Sequence, residues 1–128
     1  MNKAALRNRD AYFRRFIAWT KISGGITGFR LFEEGFLFDG AGGSLFLIDL
    51  VWEDYYLAFL NSICCKLFLS IISPTVNFNE SHIGALPLIR DEMKKCTIDS
   101  ISKTNVLYSK NDWDSLETSW DFKKHPLI

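Results

Sequence analysis

The chain has 128 residues, of which 48% are hydrophobic and 15% aromatic, enough to bury one core and too few for several, so one compact domain or a piece of a larger one is expected. Fifteen basic and fifteen acidic residues cancel, which excludes a uniformly charged polyanion binder, but the charge is unevenly placed. Between Met1 and Arg30 the cations Lys3, Arg7, Arg9, Arg14, Arg15, Lys21 and Arg30 face one acid, Asp10, whereas Leu31 to Asn61 carries only acids: Glu33, Glu34, Asp39, Asp49, Glu53 and Asp54. The basic front end suits contact with a polyanion, most simply nucleic acid, or a solvated leader. Three unpaired cysteines, Cys64, Cys65 and Cys96, form no zinc spacing and indicate a reducing compartment. The charged N-terminus lacks the apolar core of a signal peptide, so a cytoplasmic location is expected.

Residues 1–11 read as a loose basic leader. Ala11 to Trp19 alternates Tyr12, Phe13, Phe16, Ile17 and Trp19 with Arg14, Arg15 and Ala18, a pattern that suits either a strand or a helical turn. A hairpin is predicted next: Phe29-Arg30-Leu31-Phe32 as a half-buried strand, a turn at Glu34-Gly35, and Phe36-Leu37-Phe38 as a second strand, closed by a glycine-rich loop from Gly40 to Ser44. Trp52 to Ser73 is the clearest helix, with Trp52, Tyr55, Tyr56, Phe59, Leu60, Ile63, Leu67, Phe68 and Ile71 at steps of three and four and Glu53 and Asp54 in its first turn. The same run is long enough to raise a membrane span, but Asn61, Ser62 and Ser70 interrupt it, and the central Lys66 would cost ~2.5–3.5 kcal/mol in a bilayer. A buried core helix ended by Pro74 is the better reading.

Thr75 to Asn79 reads as extended, Glu80 to Gly84 as a turn or short helix capped by Asn79, and Leu86 to Ile89 as extended, with Pro87 suggesting a sheet edge. Arg90 to Lys110 carries a weaker helical pattern with possible breaks at Thr97 and Thr104-Asn105, followed by an acidic aromatic tail. The tail ends at His125-Pro126-Leu127-Ile128 as though cut. The expected organisation is thus a leader (1–11), a main domain (12–89) and a helical segment with tail (90–128). The fold class is α+β, a small mixed or antiparallel sheet packed on a long buried helix.

Several patterns that suggest chemistry have plainer explanations. Phe38-Asp39 followed by Gly40 to Gly43 resembles the start of a nucleotide or S-adenosylmethionine loop, but no helix begins at the glycines and no alternation of strands and helices follows, so it reads as a turn. Asp112, Asp114, Glu117 and Asp121 have spacings that fit a magnesium site and equally a solvated acidic face between the packing residues Trp113, Trp120 and Phe122. His82 has no cysteine, serine or carboxylate at a suggestive distance. No catalytic set can be assembled.

The ordered series Tyr12-Phe13-Arg14 to Trp19, Phe29-Arg30-Leu31, Gly35 to Asp39, Ser44-Leu45-Phe46, Tyr55-Tyr56-Leu57, Phe59 to Ser62, Pro74 to Phe78, Ile83 to Leu88, and Asp112-Trp113-Asp114-Ser115 with Glu117 to Phe122 resembles the PglX family, the adenine-specific DNA methyltransferases of BREX phage-exclusion systems. The resemblance runs from Tyr12 to Ile128 and falls in the target-recognition or C-terminal region of that family. Family members are many times longer, and their Asn-Pro-Pro-Tyr motif for the flipped adenine is absent, since Pro74, Pro87 and Pro126 are not adjacent. The resemblance therefore implies a split or truncated gene product that recognises duplex DNA without catalysis. It has no cofactor of its own, S-adenosylmethionine being implied for the complete enzyme, and its partners would be double-stranded DNA and a separate methyltransferase chain or other defence subunits, with no membrane. Arg14, Arg15, Lys21 and Arg30 would meet phosphates, and Thr20, Ser23, Asn77, Asn79 and His82 would meet bases. The alternatives are a protein-interaction module docking through the aromatic tail and an inactive gene remnant.

Overall fold

The computed structural model describes residues 8–25, 27–125 and 127, so most of the leader, residues 1–7, lies outside the described residues. The chain divides into two compact units, Met1–Ile89 and Arg90–Ile128. Among the described residues the first is a three-stranded antiparallel sheet with three short α-helices and two 3-10 turns, and the second is one α-helix with a turn-rich tail, so the fold is α+β.

The strand-or-helix alternative at Ala11 to Trp19 resolves as a strand. After a 3-10 turn at Arg9–Ala11, Phe13 takes a left-handed backbone (φ 62°) that bends the chain, and β1 runs Phe16–Thr20. β1 is the central strand, in the order β2-β1-β3, with β2 at Phe29–Phe32 and β3 at Gly42–Leu45. The predicted Phe29 to Phe38 hairpin does not form. β2 pairs with β1, matching Phe16 to Phe32 and Trp19 to Phe29, while Phe36, Leu37 and Phe38 form no strand. Their apolar run has a different cause: Phe38 packs edge-on against Tyr12, Phe16 and Phe46, covering one face of the sheet.

The glycine-rich stretch is likewise a strand rather than a loop from Gly42 onward. β3 pairs with β1, setting Gly43 opposite Trp19 and Ser44 opposite Ala18. Glycine is required there because the indole lies on the backbone: a Cβ at Gly43 would stand 2.1 Å from Trp19 Cζ2. The turn before it is held by Asp39, whose Oδ1 accepts the N–H groups of Ala41 and Gly42.

The single long helix expected over Trp52 to Ser73 is two helices, α1 (Glu53–Leu60) and α2 (Ile63–Ile72), bent by 74°. Asn61 and Ser62 cause the break. Asn61 Nδ2 donates to Leu57 O and to Phe29 O, and its Oδ1 accepts Phe29 N–H, each at 3.0 Å. Ser62 Oγ caps α2 by accepting Cys65 N–H. No single helix among the described residues is long and apolar enough to cross a membrane; Leu50–Leu60 and Ile63–Ile72 would satisfy length and composition only as this bent pair.

The core between sheet and helices contains Ile17, Trp19 and Phe29 from the strands, Tyr55, Tyr56, Leu57 and Leu60 from α1, Cys65 and Leu69 from α2, and Ile83. Cys65 is wholly buried, which pushes its thiol up to about 11, while Cys64 and Cys96 are exposed and unbridged. Of Thr75 to Asn79, read as extended, Thr75 and Val76 form a bend and Asn77 makes one antiparallel bridge to Ile22, with Ser23 N–H donating to Val76 O and Phe78 N–H to Lys21 O. Glu80–Gly84 is α3, with the expected Asn79 cap and a reciprocal bond from Asn79 N–H to His82 Nδ1. Leu86 to Ile89 forms no strand; Ile89 O instead accepts the Tyr55 hydroxyl at 3.0 Å.

In the second unit, α4 spans Glu92–Asp114 without the breaks expected at Thr97 and Thr104-Asn105. Asp91 caps it, and the Thr104 hydroxyl donates back to Ser100 O, so that residue is accommodated inside the helix. The tail differs from the packing reading: Trp113 is half exposed and Trp120 fully exposed. Asp114 accepts the Ser119 hydroxyl and Asp121 lies 3.5 Å from Lys110 Nζ. Among the described residues, no three His, Cys, Asp or Glu side chains are grouped to hold a metal.

Replacing Asn61 by alanine leaves the N–H and C=O of buried Phe29 without these partners, so the variant is expected to lose about 1–3 kcal/mol in urea unfolding. Asn61→Gln, with the amide displaced by one methylene, is expected to recover little of that loss.

Candidate nucleic-acid interface

Arg14 and Arg15 stand just before β1, and the strand's period-two alternation, carried back onto them, separates these neighbouring basic residues. Ile17 and Trp19 face the helices, and Arg15 falls in phase with them; Phe16, Ala18 and Thr20 face the other way, in phase with Arg14. Arg15 therefore meets α1. Its Nη1 bonds Glu33 and its Nε lies 2.7 Å from Glu53 Oε2. The acids that follow the basic front end in sequence thus neutralise one of its arginines, and Arg15 acts as an internal tie.

Glu53 is 6% exposed, and burial raises its carboxyl above the ordinary value despite the neighbouring guanidinium, with Asp54 and Glu33 adding smaller upward effects. A raised carboxyl in the folded state contributes stability while protonated, below its unfolded value, and that contribution is lost as pH rises through the folded value.

Arg14 has a different environment. Its guanidinium carbon lies 5.6 Å from the centre of the Phe46 ring, on the outer face of the sheet. Arg30 is exposed and sits opposite Ala18, which in turn sits opposite Ser44, so Arg30, Ala18 and Ser44 form one row across the three strands on that same face. Thr20 is exposed at the end of β1, opposite Gly42. Neither Arg14 nor Arg30 has an acidic partner among the described residues.

A row of aromatic rings adjoins them. Phe16 stacks on Phe32 with centroids 5.2 Å apart and packs against Phe38 and Phe46, so it is buried although it faces away from the main core. These residues, with Ala18 and Ser44, are the part of the candidate interface that sequence reasoning missed. Their signal was the alternation Arg14, Phe16, Ala18, Thr20, which becomes readable once the segment is known to be a strand.

The other candidate residues gather where residues 75–82 run past the end of β1. Lys21 Nζ pairs with Glu80 at 2.7 Å, and the hydrogen bond from Lys21 holds the Glu80 carboxyl below its ordinary value. Ser23 Oγ accepts Gly25 N–H at 3.4 Å, and Asn77 takes part through its backbone, bridging to Ile22 and accepting the Ser73 hydroxyl. Asn79 and His82 serve each other in the α3 capping box. This second group is occupied in holding local structure, while the first presents unneutralised guanidinium groups.

Comparison with known proteins gives the class first: the chain is similar, along nearly its whole length, to adenine-specific methyltransferases of the BREX type. It is 37% identical over 131 aligned residues to the adenine-specific methyltransferase BrxX of Escherichia coli O9:H4 (strain HS), covering 99% of this chain and 10% of that protein. It is 35% identical over 116 residues to the adenine-specific methyltransferase PglX of Lacticaseibacillus casei (strain Zhang), covering 91% of this chain and 10% of that protein. The chain thus spans about a tenth of the length of the curated relatives it matches. No family model matches it.

Replacing Arg15 by methionine removes the cation beside a buried carboxylate while keeping an unbranched apolar stem. The variant is expected to lose about 1–3 kcal/mol at neutral pH, less than for a wholly buried pair because Arg15 is partly exposed. The difference from the parent is expected to shrink as pH falls and Glu53 takes up its proton, as read from urea unfolding at neutral and at acidic pH.

Proposed function

We propose that this chain recognises duplex DNA as the target-reading part of an adenine-specific methyltransferase of a phage-defence system, working without a catalytic centre of its own. The observation that carries the reading is the outer face of the sheet, where Arg14 and Arg30 stand on the same side without acidic partners among the described residues and exposed Thr20 stands in phase with them. Guanidinium groups neutralise phosphates and hydroxyls contact base edges; Arg30 and Thr20 stand on strands and Arg14 in the bend that leads into β1. The similarity to BrxX and PglX supplies the biological setting. S-adenosylmethionine binding and methyl transfer would fall to other parts of such an enzyme, carried by a separate chain or by other defence subunits, in the cytoplasm. Lys21, Ser23, Asn77, Asn79 and His82 border the end of the sheet and would contribute mainly by fixing loop geometry, with Lys21 and His82 free to reach DNA only by giving up Glu80 and the helix cap.

One observation favours a protein-docking reading. Ile63, Leu67 and Ile71 make an exposed apolar stripe at four-residue spacing on α2, which suits a protein neighbour better than DNA.

The two readings differ in salt dependence. Fluorescence anisotropy of a labelled duplex across a salt series is expected to show affinity falling steeply with salt, and Arg14→Ala with Arg30→Ala is expected to reduce the log–log slope by about 2, roughly one unit for each phosphate deprived of its guanidinium. Absence of duplex binding by the folded chain, alone and with a co-expressed methyltransferase chain, contradicts the DNA reading. Salt-insensitive capture of that methyltransferase chain supports docking.

A further inference from the structure

On the outer sheet face, beside Arg30, lies an open depression of about 310 Å³. Its floor is the strands, and it exists because Ala18, Gly42 and Ser44 are small where the neighbouring row, Phe16 with Phe32, is large. Leu37, Phe38 and Asp39 form its rim. Two polar atoms there have unused capacity. The Ser44 hydroxyl is shielded from solvent and has no hydrogen-bond partner, an unfavourable state that a ligand group bonded to it would relieve. Asp39 spends Oδ1 on the Ala41 and Gly42 N–H groups, and no partner for Oδ2 is found among the described residues.

The combination selects the shape and polarity of a ligand. Aromatic walls favour a flat ring, and a hydroxyl and a carboxylate oxygen at the edge favour a ring with hydrogen-bonding groups in its plane. The carboxylate disfavours a phosphate inside the depression, whereas Arg14 and Arg30 beside it suit phosphates outside. We propose that this depression receives an unstacked nucleobase, its ring against the Phe32 and Phe38 side chains and its edge toward Asp39 Oδ2 and toward Ser44 Oγ, which rotates out of its shielded position to meet it, while the phosphates of the same strand meet Arg14 and Arg30. The proposal rests on the DNA reading above and narrows it: a base held there must leave the duplex stack or belong to a single strand, stacking supplying affinity and the polar edge the preference among bases.

Free deoxynucleosides, which lack phosphate, test the depression separately from duplex affinity. In two-dimensional amide NMR, titration with each of the four deoxynucleosides to about 10 mM, a range suited to one weakly held ring, is expected to shift the Ala18, Gly42, Gly43 and Ser44 amides saturably. Ala18→Leu, which fills the floor, is expected to weaken this at least ~10-fold, and Ser44→Ala to change the order of preference among the four. If Ala18→Leu disturbs the spectrum globally, Gly42→Ala serves instead, since its Cβ would meet only ordinary contacts, Trp19 O at 3.5 Å.

No shifts at these amides, or shifts unchanged in a natively folded filled variant, overturn the proposal. So does equal binding of N-acetyltyrosinamide, which would make the depression a seat for a protein aromatic side chain. Nucleoside binding without duplex binding keeps the depression and overturns the target-reading role; duplex binding without nucleoside binding does the reverse.

Discussion

The side-chain amide of Asn61 joins the helices to the sheet, and much of the first unit depends on that junction. By giving its oxygen to Phe29 N–H and its nitrogen to Phe29 O, Asn61 acts as a fragment of an additional strand along the open side of β2. The same nitrogen takes up Leu57 O at the end of α1, so one residue closes a helix and covers a sheet edge. With Ser62 starting a new helix in the next position, the chain turns by 74°, so that α1 packs on β2 while α2 packs on α1 and α3. Straightening the pair would withdraw Asn61 from Phe29.

From this junction follows the sorting of charge. With Ile17, Trp19 and Phe29 committed to the helices, alternation brings Arg15 to Glu33 and Glu53 and leaves Arg14 and Arg30 on the opposite face. The basic front end and acidic middle of the sequence are therefore partly matched in space. What stays unmatched is concentrated beside a row of phenylalanines, and this local imbalance, invisible in a net charge of zero, is the physical basis of the proposed interface.

The α+β class, the stop at Pro74 and the short helix α3 with its Asn79 cap were legible because each depends on local chemistry: an alternation, a proline stop, a capping side chain. The break at Asn61 was not, since Leu60, Ile63 and Leu67 keep helical spacing across it and the partner that makes Asn61 break the helix lies 32 residues away at Phe29. Gly42 and Gly43 read as loop residues by composition, yet the Trp19 indole requires the missing side chain of Gly43. Phe36 to Phe38 read as a strand by apolarity, yet Phe38 is needed as a cover for Phe16. Arg14 and Arg15 read as a pair until the strand assignment sent them to opposite faces. In each case a tertiary contact overrode local propensity.

The most direct measurement is the hydrogen-exchange footprint of the chain with saturating duplex DNA, compared with the free protein. The outer-face account predicts new protection concentrated in β1 and β3 and in the Phe36 to Asp39 segment, with α2 unchanged. Protection confined to α2, with those strands unaltered, would contradict it and assign the contact to the apolar stripe of Ile63, Leu67 and Ile71.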